Sequence, residues 1–186
     1  GDFPEQFRAF EKARIVLLPI PFDLTTSWGK GADKGPEALL HASYYLENYN
    51  CESGVEIHEL GIAVDSPVLA EDSLTMVEMA AHRVAELVSA GKFVVSLGGE
   101  HTVTVGPVRA LAERHPGMGI LHLDAHSDRR DSYEGNPYSH ACAMARCRES
   151  VETIVSVGVR SVDSSELDAL RQTPVFYAHE IHNQTD

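Results

Sequence analysis

The stretch KFVVSLGGEHTVTVGPVRALAERHPGMGILHLDAHSD (92–128) decides the fold, because two apolar strands flank a helix in it. Residues 92–99 and 118–125 are rich in aliphatic and β-branched side chains, as strands buried on both faces are. Residues 102–115 have a helical pattern that ends before Pro116. A strand, a helix and a strand in this order predict a parallel sheet with right-handed crossovers.

The same alternation continues on both sides of this unit. Further strands are predicted at 14–20, 152–159 and 173–178, and further helices at 35–49, 71–92 and 163–172. Asp163 with Glu166 three residues later is the capping signature of the last helix. We therefore predict a single α/β domain over residues 1–186, a three-layer α/β/α sandwich with a mostly parallel sheet.

The composition argues against several classes of protein. A net charge of -13, from 28 acidic and 15 basic residues, disfavours a nucleic-acid partner and fits a cationic ligand better. No apolar run approaches a membrane helix in length, and GDFPEQFRAFEKAR (1–14) is too polar for a signal peptide. Three cysteines without a CxxC pair indicate neither a disulfide framework nor a cysteine zinc site. These features predict a cytoplasmic protein with no membrane partner.

Acidic and imidazole side chains follow the second strand of the opening stretch, at the end where parallel sheets collect their ligands. In an extended chain, the alternating residues Asp124, His126 and Asp128 point the same way. Desolvating the three together is costly unless a cation joins them. The alternative is a solvated polar loop, which explains one aspartate more easily than the whole set. The spacing therefore predicts a metal site.

A histidine follows the first strand in SLGGEHTVT (96–104), where paired glycines allow a sharp turn toward the same crevice. His101 is either a further metal ligand or a hydrogen-bonded structural histidine, and the neighbouring DAHSD motif favours the ligand. Glu100 either holds His101 in one tautomer or caps the following helix. Oxygen and imidazole donors without cysteine favour Mn²⁺ or another hard-to-borderline divalent ion over a thiolate zinc site, and bridging carboxylates favour a pair of ions. Such a pair activates water, so hydrolysis is the predicted reaction class.

A third histidine lies close behind the metal motif, in GNPYSHACAMARC (135–147). His140 is well placed to shuttle protons beside the metal site. The alternative is a histidine at a helix start, with Ser139 as the cap. His122 is assigned to the core or to the support of the ligands, and the sulfur-containing residues Cys142, Met144 and Cys147 are assigned to core packing.

Together these motifs resemble those of the ureohydrolase family, which includes arginase, agmatinase, guanidinobutyrase and formiminoglutamase. GGEH (98–101) resembles the family's GGDH motif, and HLDAHSD (122–128) resembles its DAHxD motif. YSHACAMAR (138–146) resembles the segment with the catalytic histidine and is closer to agmatinases than to arginases. PIPFDLTTSWGKGADKGPEALLHAS (19–43) resembles the family's first strand, loop and helix. The fold implied is arginase-like.

The resemblance implies a di-manganese centre whose ligands are His101, Asp124, His126 and Asp128, with Asp124 bridging. Hydroxide held there would attack a guanidinium carbon, with Asp128 orienting it as a catalytic residue. His140 would assist proton transfer to the leaving amine. The implied reaction, from polyamine biosynthesis, converts agmatine, a small cationic guanidino substrate, to putrescine and urea. Family members usually assemble as trimers or hexamers, so the resemblance also implies a homotrimer or homohexamer.

The chain also departs from the family pattern. The family completes its metal site with an SxDxD motif and a DP turn, and supplies a further acid that grips the guanidinium. The sequence contains no DxD, and FYAHEIHNQTD (176–186) stops as a helix begins. We therefore expect a C-terminally incomplete domain, the N-terminal portion of a longer one, without the full two-metal mechanism on its own.

Other functions are compatible with parts of this pattern. Arginase, guanidinobutyrase and formiminoglutamase are alternatives of the same family. Their substrates differ from agmatine at the end remote from the guanidine or imine group. A non-catalytic, metal-binding subunit of ureohydrolase type is the alternative from a different class. A metallophosphoesterase would share the DxH opening, but the GDxxD and GNH elements that it needs do not occur.

Overall fold

The computed structural model describes residues 4–182. Its strands are β1 (Ile15–Ile20), β2 (Tyr49–Asn50), β3 (Val55–Glu56), β4 (Ile62–Val64), β5 (Phe93–Gly98), β6 (Gly119–Leu123), β7 (Thr153–Val159) and β8 (Val175–Tyr177). Its helices are α1 (Gly35–Ala42), α2 (Ser73–Ser89), α3 (Val105–Arg114), α4 (Ala143–Arg148), α5 (Leu167–Leu170) and α6 (Ala178–His182). Residues 183–186, where the sequence analysis expected a helix to begin before the chain stops, lie outside the described part of the chain.

The strands form two parallel sheets of three strands, in the orders β4-β1-β5 and β6-β7-β8, while β2 and β3 make a small antiparallel pair. The predicted α/β architecture with mostly parallel strands is confirmed. Within residues 4–182, β5 and β6 form no ladder with each other. The mostly parallel sheet is therefore divided, and helix and loop contacts join its two parts.

Helices cover the two faces of β1 because successive side chains of a strand point to opposite sides. Val16, Leu18 and Ile20 are fully buried in one core together with α2 and α3. Burial of each such side chain contributes about 1.5–3 kcal/mol. On the other face, Leu17 lines a groove with Leu40 of α1. This gives the predicted layer order of helix, sheet and helix.

Two elements differ from the sequence predictions. The helix predicted for 35–49 ends at Ala42 and continues only as a 3-10 turn, because Tyr45 and Leu46 stay exposed and offer no apolar stripe to the core. The prediction that β6 is buried on both faces is wrong, since Leu121 and Leu123 are 66% and 70% exposed. Only the alternate face of β6, with His122, points inward.

The helices are also short in comparison with a lipid bilayer. Among residues 4–182, none is both long and apolar enough to cross a membrane.

All three cysteines carry free thiols, and Cys142, Met144 and Cys147 are buried, as predicted for core residues.

Candidate metal centre

The candidate site lies where β5 and β6 end. His101 starts the 3-10 turn after β5, and Asp124 follows β6 directly. The preceding Gly99 packs so tightly that a Cβ atom there would lie 2.1 Å from the backbone oxygen of Phe22. That oxygen also accepts a 2.8 Å hydrogen bond from the backbone N–H of Glu100. The glycine is therefore needed for close approach, which fixes the end of β5 beside the chain that leaves β1.

Imidazole and carboxylate groups converge at this point. His101 Nδ1 forms a hydrogen bond with Asp128 Oδ2 and lies 3.4 Å from Asp124 Oδ2. His122 Nε2 lies 3.6 Å from the same Asp124 oxygen. One ligand atom each from His101, His122 and Asp124 lie within 4.8 Å of one another. The structure thus adds His122 to the group that the sequence analysis placed here.

The chemistry of this group fits a divalent cation. Its donors are imidazole nitrogens and carboxylate oxygens, which borderline and hard cations prefer. His122 Nε2 is buried and, within the described residues, has no hydrogen-bond partner. An unsatisfied buried nitrogen is costly, and a cation or a proton shared with Asp124 would satisfy it. The HxD spacing of His122 and Asp124 at the end of β6, which places both side chains on one face, is the signal that points to His122.

His126 and Asp128 are arranged differently from the sequence prediction. Asp128 has a φ of 51°, so the chain is no longer extended at the third alternating position. The side chain of His126 is 63% exposed, and its Nδ1 lies 3.5 Å from Asp124 Oδ1. Asp124 and Asp128 therefore meet at His101, while His126 stands at the outer side of the group.

A cavity of about 380 Å³ contains all four predicted ligands. Its wall also carries Glu100, Asp163 and Glu166, together with one guanidinium group, that of Arg130. The excess of carboxyl groups produces a negative potential, which favours cationic ligands. His140 lines the same cavity, so the structure brings the predicted proton carrier and the predicted ligands into one space.

His140 opens a 3-10 turn before α4. Ser139 makes no capping bond to this turn, so the helix-cap alternative is not what the structure contains. The ring of Tyr133 packs edge-on against His140, with centroids 5.6 Å apart. Glu100 caps the turn after β5 by accepting a 2.7 Å bond from the backbone N–H of Thr102. Of the two roles considered for Glu100, the structure supports the cap.

A buried glutamate supports the DAHSD loop from the other side. Glu166 Oε1 accepts hydrogen bonds from Ser127 Oγ at 2.6 Å and from the backbone N–H of Arg129 at 2.7 Å. Its Oε2 accepts from the backbone N–H of Asp163 at 2.8 Å, which completes the predicted capping box. Asp128 is held by α4, whose Met144 N–H donates to its backbone oxygen. The sequence predicted the capping box but gave no sign that Glu166 also accepts hydrogen bonds from the DAHSD loop.

The protonation of the group follows from burial and neighbouring charge. Burial and the nearby His101 lower the pKa of His122, so its ring is neutral at neutral pH. Burial opposes the charge on His101, but the hydrogen bond and charge of Asp128 raise its pKa overall. Burial also opposes the charge on Asp124, yet the backbone N–H of His126 and the charge of His101 lower its pKa. A cation would therefore compete with a proton on His101.

Comparisons with known proteins agree on the family that this chain resembles. The model of the arginase family matches residues 13–185. N(1)-aminopropylagmatine ureohydrolase of Synechocystis sp. is 39% identical over 189 residues, covering 95% of this chain and 61% of that protein. Agmatinase of Bacillus anthracis is 33% identical over 170 residues, covering 89% of this chain and 59% of that protein.

Among solved structures, agmatine ureohydrolase of Thermoplasma volcanium superposes with a TM-score of 0.87 at 32% identity. That match covers 95% of this chain and 61% of the solved one. The chain thus spans about three fifths of the length of the relatives that it matches.

Proposed function

The chain belongs to the arginase family, and from that premise we propose that the protein is a metal-dependent ureohydrolase that converts agmatine to putrescine and urea. The observation that carries the proposal is the convergence of His101, Asp124 and Asp128 in an acid-lined cavity that also contains His140. An agmatinase of 33% identity among the relatives supports the choice of substrate.

His101, Asp124, His126 and Asp128 would hold the cations, and Mn²⁺ is an ion that suits these donors. When bound, the cations supply Lewis-acid activation of water for attack on the guanidinium carbon. Asp128 would orient the attacking water by accepting a hydrogen bond from it. The carboxyl groups of the cavity wall stabilise the positive charge of the substrate.

His140 carries the proton in this proposal. As the bond between the guanidinium carbon and the substrate's amine nitrogen breaks, the leaving nitrogen must gain a proton, and an imidazole on the cavity wall can deliver it. Replacement of His140 by alanine should therefore lower turnover while the metal content stays unchanged. Loss of metal together with turnover would contradict this assignment.

Metal binding tests the whole proposal most directly. Manganese bound per chain, measured by elemental analysis after dialysis, should fall in Asp124→Ala. Asp131→Ala is the matched control, because Asp131 is a neighbouring, 96% exposed carboxylate paired with Arg146. Equal manganese stoichiometry in both variants and in the unaltered protein would refute the assigned ligands. Manganese binding without urea release from any guanidine would favour a non-catalytic, metal-binding subunit.

N(1)-aminopropylagmatine is the second candidate substrate, because a relative with 39% identity has the name of an enzyme for that compound. Both candidates have a guanidinium group and differ in the length of the cationic tail. Competition between them in a urea-release assay gives the ratio of their kcat/KM values. A preference for arginine over both would move the proposal to another member of the family.

A place in polyamine biosynthesis and a cytoplasmic location follow from this substrate class. The free thiols agree with a reducing compartment. We propose a homotrimer or homohexamer on the strength of the family resemblance. Light scattering coupled to size-exclusion chromatography measures the assembly, and a monomer at micromolar concentration would contradict it.

A further inference from the structure

The loop that follows β1 reaches His140 through a threonine. The backbone N–H of His140 donates a 2.9 Å hydrogen bond to Thr25 Oγ1, and the ring Nδ1 of His140 lies 3.4 Å from the same oxygen. Thr25 Oγ1 also lies 2.6 Å from Glu100 Oε1. One hydroxyl group therefore joins a buried carboxylate to the proposed proton carrier.

The hydrogen-bonding capacity of this hydroxyl decides the direction of each contact. Threonine has one proton to donate and two lone pairs that accept. A carboxylate only accepts, so at 2.6 Å the Thr25 proton lies in the bond to Glu100. One lone pair of Thr25 accepts from the backbone N–H of His140. The other can meet the ring Nδ1 only as an acceptor, which requires a proton on Nδ1.

The two groups that impose this direction are fixed in place. Glu100 is 6% exposed, and its second oxygen is occupied by the backbone N–H of Thr102 at 2.7 Å. The loop with Thr25 is tied down at Asp23, whose Oδ2 accepts a 2.7 Å bond from the backbone N–H of Gly31. Neither the carboxylate nor the hydroxyl is free to turn away from its partner.

The other hydroxyl groups around the ring do not oppose this tautomer. Ser139 Oγ lies 3.3 Å from Nδ1 and can accept from it. Ser27 Oγ lies 3.3 Å from Nε2 and 3.3 Å from the hydroxyl of Tyr133; it can donate to the ring when it accepts from Tyr133 instead of donating to it. Both serine hydroxyls can rotate to suit either tautomer. Thr25, whose proton is committed elsewhere, is the group that selects between them.

We propose that Glu100 and Thr25 are positioning residues that hold neutral His140 in the tautomer with its proton on Nδ1. The lone pair of Nε2 is then the basic site that this ring presents to the Ser27 side of the cavity. Its catalytic meaning rests on the proposed function of His140, whereas the tautomer itself does not. A bare Nε2 takes up a proton released from water and then passes it to the nitrogen of the leaving amine.

A substitution of nearly equal size tests the mechanism. In Glu100→Gln, the amide oxygen must stay on the N–H of Thr102, because an NH₂ group there would face another donor. The amide NH₂ then points at Thr25 and donates to it. With both lone pairs filled, Thr25 is free to donate its proton to Nδ1 of His140. The proton of the ring should therefore move to Nε2.

Nitrogen-15 NMR of histidine-labelled, metal-free protein at about pH 8, where an ordinary histidine is neutral, distinguishes the two tautomers. The His140 signals are identified by their loss in His140→Gln. We expect a protonated Nδ1 and a bare Nε2 in the unaltered chain, and the reverse in Glu100→Gln. A bare Nδ1 in the unaltered chain, or a protonated Nδ1 in folded Glu100→Gln, would overturn the proposal.

Three more variants keep the test decisive if Glu100→Gln does not fold. Thr25→Val should abolish the preference for a protonated Nδ1, whereas Thr25→Ser keeps the hydroxyl and should restore it. Identical ring spectra in these two would overturn the proposal. Thr26→Val is the matched control, because Thr26 bonds the backbone oxygen of Asp23 rather than His140 and should leave the tautomer unchanged.

The spectrum and the enzyme assay separate the two proposals. A protonated Nδ1 together with normal turnover of His140→Ala would leave the tautomer inference intact and remove His140 from the proposed mechanism. A bare Nδ1 together with lost turnover of His140→Ala would overturn the inference and leave the proposed function standing.

Discussion

Replacement of Glu166 by glutamine should destabilise the protein far more than its conservative chemistry suggests. The carboxylate is 4% exposed and accepts three hydrogen bonds, from Ser127, from the N–H of Arg129 and from the N–H of Asp163. A glutamine has one oxygen, so its NH₂ faces at least one of the two backbone donors. Hydrogen bonds to charged groups contribute about 1.5–3 kcal/mol each. Loss of one bond, with weakening of the others, gives a cost of about 2–4 kcal/mol.

Equilibrium unfolding in urea measures this cost as a fall in the transition midpoint at constant slope. Asp168→Asn is the matched control, because Asp168 lies two residues further on, is 89% exposed and pairs with the exposed Arg171. We expect the control to change the stability by less than about 0.5 kcal/mol. A cost below about 1 kcal/mol for Glu166→Gln, or a cost equal to the control, would refute the view that this carboxylate holds the DAHSD loop.

Three further outcomes follow from single features of the fold. Arg83 donates bonds of 2.6 and 2.9 Å to Asp65 and holds the pKa of that carboxyl below its usual range. Because the folded pKa is the lower one, this stabilisation is present above about pH 4 and is lost as the pH falls through the folded value. Arg83→Met should cost about 1 kcal/mol near pH 7 in a urea titration and flatten the loss of stability in acid; equal acid sensitivity would contradict this. Gly99→Ala places a methyl group against the Phe22 backbone and should cost about 3 kcal/mol, visible as a lower Tm, whereas an unchanged Tm would mean that the strand end can move. Burial raises the pKa of the Cys147 thiol to about 12, so mass spectrometry should find it unmodified by iodoacetamide in the native protein and labelled in urea.

The elements that could be predicted from the sequence are those with a strong local signal. The strand β1 has a continuous apolar run, and α2 has a stripe of apolar residues with Asp72 as its cap. The short strand β4 was not predicted, because three residues carry too little pattern and only the ladder with β1 defines it. The early end of α1 at Ala42 depends on tertiary contacts in the same way. Local propensity is overridden where a segment finds no core to face.

In the candidate site too, features with a local sequence signal could be predicted, and features set by tertiary contacts could not. The sequence predicts that His101 and Asp124 approach each other, because both follow strands whose carboxyl ends were expected to face one crevice. The divergence of Asp128 from His126 was not predictable, since it depends on the left-handed backbone at Asp128, which no glycine or asparagine announces. The role of Glu166 was missed because its partners lie 37 and 39 residues away. Side-chain bonds of that range leave no periodic trace in a sequence.

Because the sheet is divided, a metal ion bound at this site would also stabilise the fold. The His101 side is tied to β1, where Gly99 N–H bonds the backbone oxygen of Ile20, and the Asp124 side is tied to β7 by a 3.1 Å bond to Val157. No ladder joins β5 to β6 within residues 4–182, so a cation held by His101 and Asp124 would be a direct link between the two sheets. Binding only to the folded chain stabilises it by about 2.7 kcal/mol at a hundredfold excess over Kd. Manganese should therefore raise the Tm of the unaltered chain and not that of Asp124→Ala, and an equal rise in both would place the bound ion away from the junction.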